Sequence, residues 1–255
     1  MIRAVLFDFH NTLVTCDAWL ELEIRTLPGH VLRLLRKRGL LDDAPEHSED
    51  DARLLFRALR HRVHDSGVEL SAFEGAREVL HEMGYHPPDD AIVAAVEELE
   101  YACLPDVRLI EGAAATLERL ARAGCRLGIV SSAGFPPFVE RALGQHDLER
   151  YFDSVVTSAG EGIYKSNPEI YRRVAERLGA APEETAHVGD HARFDVATAK
   201  AAGLHAIWYA AHAERTARMH GADWIALKRL GEQADAVVMR LEDVPGEVER
   251  IDRDS

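Results

Sequence analysis

The chain has 255 residues, 47% of them apolar, with 30 basic and 44 acidic side chains and a formal net charge of −14. That length holds one large α/β domain, or a core with a smaller second domain. The acidic balance argues against a partner that is nucleic acid or an anionic membrane, but a local lysine and a metal ion can still draw in a small phosphorylated ligand.

The first predicted element is a strand, Arg3–Asp8, whose Val5, Leu6 and Phe7 read as a buried parallel strand. It delivers Asp8 to its carboxyl end, and the chain then turns through His10, Asn11 and Thr12. No strand is evident from residue 16 to residue 105. Helices are expected there over Asp17–Arg38, interrupted at Pro28, and over Asp50–Ser66, Ala72–Met83 and Asp89–Cys103. Leu54, Leu55, Ala58 and Leu59 read as a buried stripe, and the acidic stretch Asp42–Asp51 as a solvated loop. Strands resume at Arg126–Ser131, Ser154–Thr157, Ala186–Gly189 and His205–Tyr209, with Ala236–Met239 a weaker sixth. Between them lie helices over Gly112–Ala123, Pro168–Leu178 and Asp195–Ala202, with Gly124, Gly179 and Gly203 as stop signals. This alternation predicts an α/β fold, a Rossmann-like parallel sheet with helices on both faces. The expected division is a core of residues 1–15 and 106–255 and an inserted helical cap of residues 16–105. The tail after Glu242 is charged and expected to fray.

Cys16, Cys103 and Cys125 are odd in number and lack CxxC spacing. No disulfide framework or zinc site is expected, which points to a reducing compartment. There is no signal-peptide pattern and no apolar run of membrane-spanning length, so the expected location is the cytoplasm, with no membrane partner.

Four points fall at or just after strand ends. They are Asp8, Ser131, Lys165 in Tyr-Lys-Ser-Asn-Pro-Glu-Ile-Tyr, and Gly189-Asp190 followed by Asp195. Open α/β sheets bind ligands at this edge. Two carboxylates on neighbouring strands suit Mg²⁺, a hard cation that takes oxygen ligands. A hydroxyl and an ammonium can hold the non-bridging oxygens of a phosphoryl group, and phosphoryl transfer needs mostly positioning and charge neutralisation. Singly, each has a plainer reading. Asp8 could cap a turn, Ser131 has Ser132 beside it, Lys165 could be a surface lysine, and Asp195 a first-turn helix acid. His61, Arg62 and His64 read as a solvated helix face, His191 as exposed loop, and Cys16 as packing at a hinge. Arg33, Arg36, Lys37 and Arg38 read as a charge bias at a helix C-terminus.

With all four motifs in order, a helical insert after the first and Ala-Asp-Ala-Val-Val near the end, the chain resembles the haloacid dehalogenase (HAD) superfamily of hydrolases. The resemblance implies a HAD-like core of five strands in spatial order 3-2-1-4-5 under a helical cap. It implies Mg²⁺ as cofactor, and a small phosphorylated metabolite as substrate. Asp8 would then be the nucleophile that forms an aspartyl-phosphate, and also a metal ligand. The main-chain carbonyl of His10 and the carboxylate of Asp190 would complete the metal site. Ser131, Lys165 and Thr12 would form the phosphate site, with Lys165 neutralising charge and Thr12 supporting the loop. Asp195 would support the site through water or through Lys165.

The departure is His10, which stands where phosphatases of this superfamily usually carry a second Asp as general acid, then base. Imidazole can do such work near neutrality, its ordinary pKa being about 6.5, so His10 is kept as a catalytic candidate. The departure also leaves two alternatives open. One is a dehalogenase or phosphonate hydrolase on the same scaffold; the other is a nearly inactive phosphate-ligand binding protein. The plain Gly189-Asp190 with Asp195 favours the metal-binding phosphatase. Substrate identity and oligomeric state are left open.

Overall fold

The computed structural model describes residues 1–41, 47–219 and 223–254. In chain order the strands are β1 (Ala4–Phe7), β2 (Val14–Thr15), β3 (Arg108–Leu109), β4 (Arg126–Ser131), β5 (Ser154–Thr157), β6 (Thr185–Gly189), β7 (His205–Tyr209) and β8 (Ala236–Val238). Six of them form a parallel sheet in the order β5-β4-β1-β6-β7-β8. The expected five-strand order is present, and the weaker sixth candidate is the edge strand β8. Helices cover both faces of the sheet, so β1 has no polar side to show and all four of its residues are buried. Strand order reverses at β1. The crevice between β1 and β6 is the place where such sheets bind ligands.

The chain leaves the sheet through β2 and returns through β3, which pair as an antiparallel ribbon at Val14–Leu109 and Thr15–Arg108. The insert between them is helical. Its first helix, Asp17–Glu21, runs into a π-helical turn, Leu22–Thr26, and then into helix Leu27–Lys37. The expected break at Pro28 is therefore this turn, and Pro28 sits in the first turn of the next helix, where its missing N–H is not needed. Helix Glu49–Ser66 opens on a capping box: Ser48 accepts the Asp51 N–H, and Asp51 accepts the Ser48 N–H. The C-terminal end of the expected acidic loop is thus a helical turn, and residues 42–46 of that loop lie outside the described residues. The buried stripe of this helix is Ala52, Phe56, Leu59 and Val63, whereas Leu54 is 58% exposed. Spacing by three and four keeps side chains on one face, which adjacent leucines cannot do. Helices Ala72–Glu82 and Asp89–Ala102 complete the insert.

Two other expectations need correction. The tail does not fray. Val244–Asp254 is a helix that buries Val244, Pro245, Val248 and Ile251, and Asp252 accepts the Ile2 N–H at 2.6 Å. The segment expected as helix Asp195–Ala202 is a π-helical turn, Ala192–Thr198, followed by the short helix Ala199–Ala201. A further helix, Pro136–Gln145, which is not among the predicted elements, opens on Pro136 and Pro137 and buries Phe138, Val139, Ala142 and Leu143.

The insert also touches the sheet domain away from its β2–β3 neck. Val68 and Ile163 form an antiparallel bridge, with Tyr164 N–H on Gly67 O at 2.9 Å and Glu69 N–H on Gly162 O at 3.1 Å. Buried Glu69 accepts from Ser158 Oγ at 2.7 Å and from Arg60 at 2.7 Å. Glu23 accepts the Gly134 N–H, and Ala72 N–H donates to Gly134 O at 2.8 Å. These contacts hold the helices over the carboxyl edge of the sheet. Among the described residues, no helix is long and apolar enough to cross a membrane.

Candidate active site

β1 places Asp8 beside β6, where Asp8 N–H donates to Val188 O at 2.8 Å. Lys165 Nζ donates to Asp8 Oδ1 at 2.7 Å and to Asp195 Oδ1 at 2.5 Å. The Thr12 hydroxyl donates to Asp8 Oδ2 at 3.2 Å. Asp195 is held in turn by His187 Nε2 at 3.1 Å and by the His191 N–H at 2.8 Å. Asp190 accepts from the Thr216 hydroxyl, and Asn11 Nδ2 donates to the same Thr216 oxygen at 2.8 Å. A Cβ on Gly189 would lie 2.3 Å from Asp195 Cγ, so this position must be glycine for the π-helical turn to bring Asp195 in.

The site is crowded with negative charge. Carboxylate oxygens of Asp8, Asp190 and Asp195 lie within 4.8 Å of one another, and Lys165 is the buried cation bonded to two of these carboxylates. Burial pushes the Asp8 carboxyl up to about 6, Lys165 opposing and Asp195 adding to the shift. Burial likewise carries Asp190 well above the usual carboxylate range, helped by Asp8 and Asp195. Burial also acts against ionised Asp195, but Lys165 and His187 outweigh it and hold that carboxyl below its ordinary value. The ammonium of Lys165 is disfavoured by burial, and Asp195 and Asp8 more than restore it. The buried Asn11 Oδ1 has no hydrogen-bond donor among the described residues. Surplus carboxylate charge and an unpaired oxygen are the donor set that a hard divalent cation takes.

The four motifs therefore converge, and Asp8, Lys165 and Asp195 touch directly. Ser131 and Ser132 both face the cavity above them. Thr12 is fully buried and, rather than lining the cavity, its hydroxyl braces the Asp8 carboxylate. His10 lines the cavity, and its Nε2 lies 3.1 Å from both the main-chain nitrogen and the carbonyl oxygen of Cys16, so this ring nitrogen is engaged by the Cys16 main chain in either tautomer. Burial pushes His10 down to about 4, so the ring is neutral at physiological pH, unlike an imidazole titrating near neutrality. Cys16 is packed at the neck, its Sγ donating to Cys103 O at 3.4 Å.

Above the carboxylates lies a cavity of about 340 Å³. Trp19, Leu20, Ile24, Tyr164 and Phe194 give it apolar walls. His191 is at its wall, stacked on Phe194 at 4.4 Å, and is not an exposed loop residue. His61 and His64 line it from the insert, whereas Arg62 points elsewhere and pairs with Glu78. Sequence reasoning missed Thr216, Asn11 and His187. His187 had a legible signal, being a polar residue in the middle of a buried strand. Thr216 had none, because it meets Asp190 only through the fold.

These features define an α/β protein with an aspartate–lysine centre at the strand-order reversal, roofed by a helical insert. The chain belongs to the haloacid dehalogenase-like hydrolases: the model of that family matches residues 2–203, and a HAD-hydrolase-like model matches residues 163–244. It is 31% identical over 210 residues to a glyceraldehyde 3-phosphate phosphatase of Methanopyrus kandleri, covering 80% of this chain and 82% of the relative. It is 31% identical over 185 residues to a phosphoserine phosphatase of Thermus thermophilus, covering 68% and 72%. A 2-haloacid dehalogenase of Pseudomonas syringae pv. Tomato superposes with a TM-score of 0.67 at 24% identity, covering 98% of this chain and 99% of that one, which shows a shared fold.

Proposed function

We propose that the protein is a Mg²⁺-dependent phosphatase of small organic phosphate monoesters, acting through an aspartyl-phosphate on Asp8. The observation that carries this reading is the buried Asp8–Lys165–Asp195 contact beside Asp190, with more carboxylate than one lysine can balance. Relatives named for the hydrolysis of glyceraldehyde 3-phosphate and phosphoserine support it. The metal ligands are Asp8, Asp190 and the main-chain carbonyl of His10, and Asp195 steadies the site through Lys165. When bound, the cation offsets charge on the phosphoryl oxygens. Asp8 attacks phosphorus, the ester P–O bond breaks, and water then releases inorganic phosphate from Asp8. Lys165 and Ser131 hold the non-bridging oxygens. With Nε2 engaged by the Cys16 main chain, His10 has only its Nδ1 left for the leaving oxygen, and a neutral imidazole is a weak acid. Turnover is therefore expected to be slower than a carboxylic acid at this position would give. Residues 16–105 act as a cap that excludes water and chooses the substrate.

The test is a panel of phosphate esters and 2-haloacids, each assayed with Mg²⁺ and with EDTA. Phosphate release that needs Mg²⁺ is expected. Halide release that survives EDTA would replace this reading with dehalogenation, and tight ester binding without turnover would replace it with a binding protein.

Metal should also stabilise the fold in a pH-dependent way. A carboxyl whose pKa is raised on folding costs nothing below its unfolded value near 4, and the cost grows until the pH passes its folded value. For Asp8 that window runs from about 4 to about 6. Mg²⁺ relieves the cost, so the gain in Tm on adding it should be larger at pH 7.5 than at pH 5. At a hundredfold excess over Kd the gain corresponds to ~2.7 kcal/mol. Equal Tm gains at both pH values in a thermal melt would contradict the assignment of these carboxylates to the metal.

A further inference from the structure

Helix Glu49–Ser66 turns one face toward the cavity and lines it with Arg53, Arg57, Arg60, His61 and His64. These positions are spaced by three and four, so they share a single stripe beside the apolar one. Arg25, from the preceding π-helical turn, joins them at the cavity wall. Four arginines at one cavity wall are unexpected in a chain with a net charge of −14. Their partners separate them. Arg60 makes a two-pronged contact with Glu69, at 2.7 and 3.3 Å, and stacks over Tyr164. Arg53 pairs with Asp50 at 3.2 Å, and Arg25 with Glu21 at 3.2 Å. Arg57 has no hydrogen bond or ion pair with any described residue, and it faces the same cavity as Asp8 and Lys165.

We propose that Arg57 is a second anion subsite, and that the substrate is a phosphate ester whose far end carries another anionic group, a carboxylate or a second phosphate. The inference rests on the phosphatase reading and adds to it the chemistry of the tail. The floor of the cavity takes the reacting phosphoryl group. The apolar walls of Trp19, Leu20 and Ile24 take a short carbon body. At the roof, a guanidinium presents a fork of donors that matches a carboxylate or a phosphate. Arg60 braces the roof through Glu69, and Arg53 and Arg25 pair within their own helical segments, which leaves Arg57 as the arginine of this wall with no partner among the described residues. The two phosphatase relatives act on substrates that differ in this respect: phosphoserine carries a carboxylate and glyceraldehyde 3-phosphate does not. The unpaired arginine favours the anionic kind of tail.

The test compares phosphate esters in matched series of two to five carbons, ending in a hydroxyl, a carboxylate or a second phosphate, on the wild-type protein, Arg57→Ala and Arg57→Lys. In wild type, at least one chain length should show kcat/KM about tenfold or more higher for the anionic tail than for its hydroxyl partner, mostly through KM. Arg57→Ala should bring that ratio close to one, and Arg57→Lys should restore part of it. Preference for the carboxylate series or for the bisphosphate series identifies the tail. A ratio near one at every length in wild type, or an equal loss on all tails in Arg57→Ala, overturns the subsite while leaving the phosphatase reading intact. If no ester turns over, the phosphatase reading fails. The subsite is then decided by calorimetric titration of the same pairs into wild type and Arg57→Ala, where absence of an Arg57-dependent preference for the anionic tail overturns it.

Discussion

Asp8→Asn is expected to abolish phosphate release, by on the order of 10⁴-fold or more, without destabilising the protein. The amide keeps the shape of the side chain and can still accept the hydroxyl of Thr12. It removes the anionic oxygen proposed to attack phosphorus, together with one proposed charged ligand of the metal. The folded state should tolerate the change well. The wild-type carboxyl is held near 6 by burial and by Asp195, so ionised Asp8 is an electrostatic cost at neutral pH. Removing that charge also relieves Asp190, which Asp8 pushes upward. Turnover and thermal melting of the variant should therefore diverge, with activity gone and Tm equal to or above that of the metal-free wild type. Measurable turnover in Asp8→Asn would end the aspartyl-phosphate mechanism. Loss of activity with a collapsed Tm would mean that the residue is needed for folding instead.

Lys165→Met is expected to do the opposite on the stability side. Lys165 is 2% exposed and bonds two carboxylates, Asp8 and Asp195. Methionine fills much of the same space without the charge. Three clustered carboxylates then lose the ammonium that ties two of them together, and removing one partner of a buried pair typically costs ~3–5 kcal/mol. The sign of the pH dependence follows. Without the ammonium, the stabilisation tied to the lowered Asp195 carboxyl is lost even at pH 5, and the carboxyl pKa values rise in the folded state, so a further penalty is added as pH climbs through them. Urea denaturation should show a larger loss at pH 7.5 than at pH 5, and added Mg²⁺ should recover part of it. Phosphate release should fall by ~10²-fold or more, because charge on the transferring group is no longer balanced. An equal stability loss at both pH values would assign Lys165 a packing role and remove it from the charge network. Unimpaired turnover would remove it from the chemistry.

The parts of this architecture that were legible in the sequence are those where one physical demand governs the residues. β1, β4, β6 and β7 lie in the interior of a sheet covered by helices, so their residues are mostly apolar on both sides, buried His187 in β6 being an exception, and short runs such as Val5–Phe7 and Leu127–Val130 are hard to mistake. Chemistry follows their carboxyl ends, which is why Asp8, Ser131 and Asp190 could be located before any coordinates. The insert was harder. Leu54 suggested a buried stripe because it is leucine, but Phe56 and Val63 occupy the inward positions. A helix phase is set by the whole periodic series, and a two-residue cluster can point the wrong way. The C-terminal helix was hidden by its charge: Val248 and Ile251 are spaced for burial, yet they sit among acids and arginines. His10 could be singled out by motif, but its hydrogen bond to the Cys16 main chain depends on how the neck turns, and no spacing reports that. Arg57 and Thr216 reach the cavity through tertiary placement alone.

The bridge between Gly67–Glu69 and Gly162–Tyr164 has a mechanical consequence. The Tyr164 N–H that bonds Gly67 belongs to the residue immediately before Lys165. A swing of the roof that opens the cavity on this side must peel that bond, and the pull is applied one peptide from the ammonium that steadies Asp8. The roof and the lysine's segment therefore share an anchor: the peptide next to Lys165 is tied to the insert on one side, while the lysine itself is tied to Asp8 and Asp195 on the other. If the proposed chemistry holds, loosening the bridge should disturb the lysine as well as the entrance.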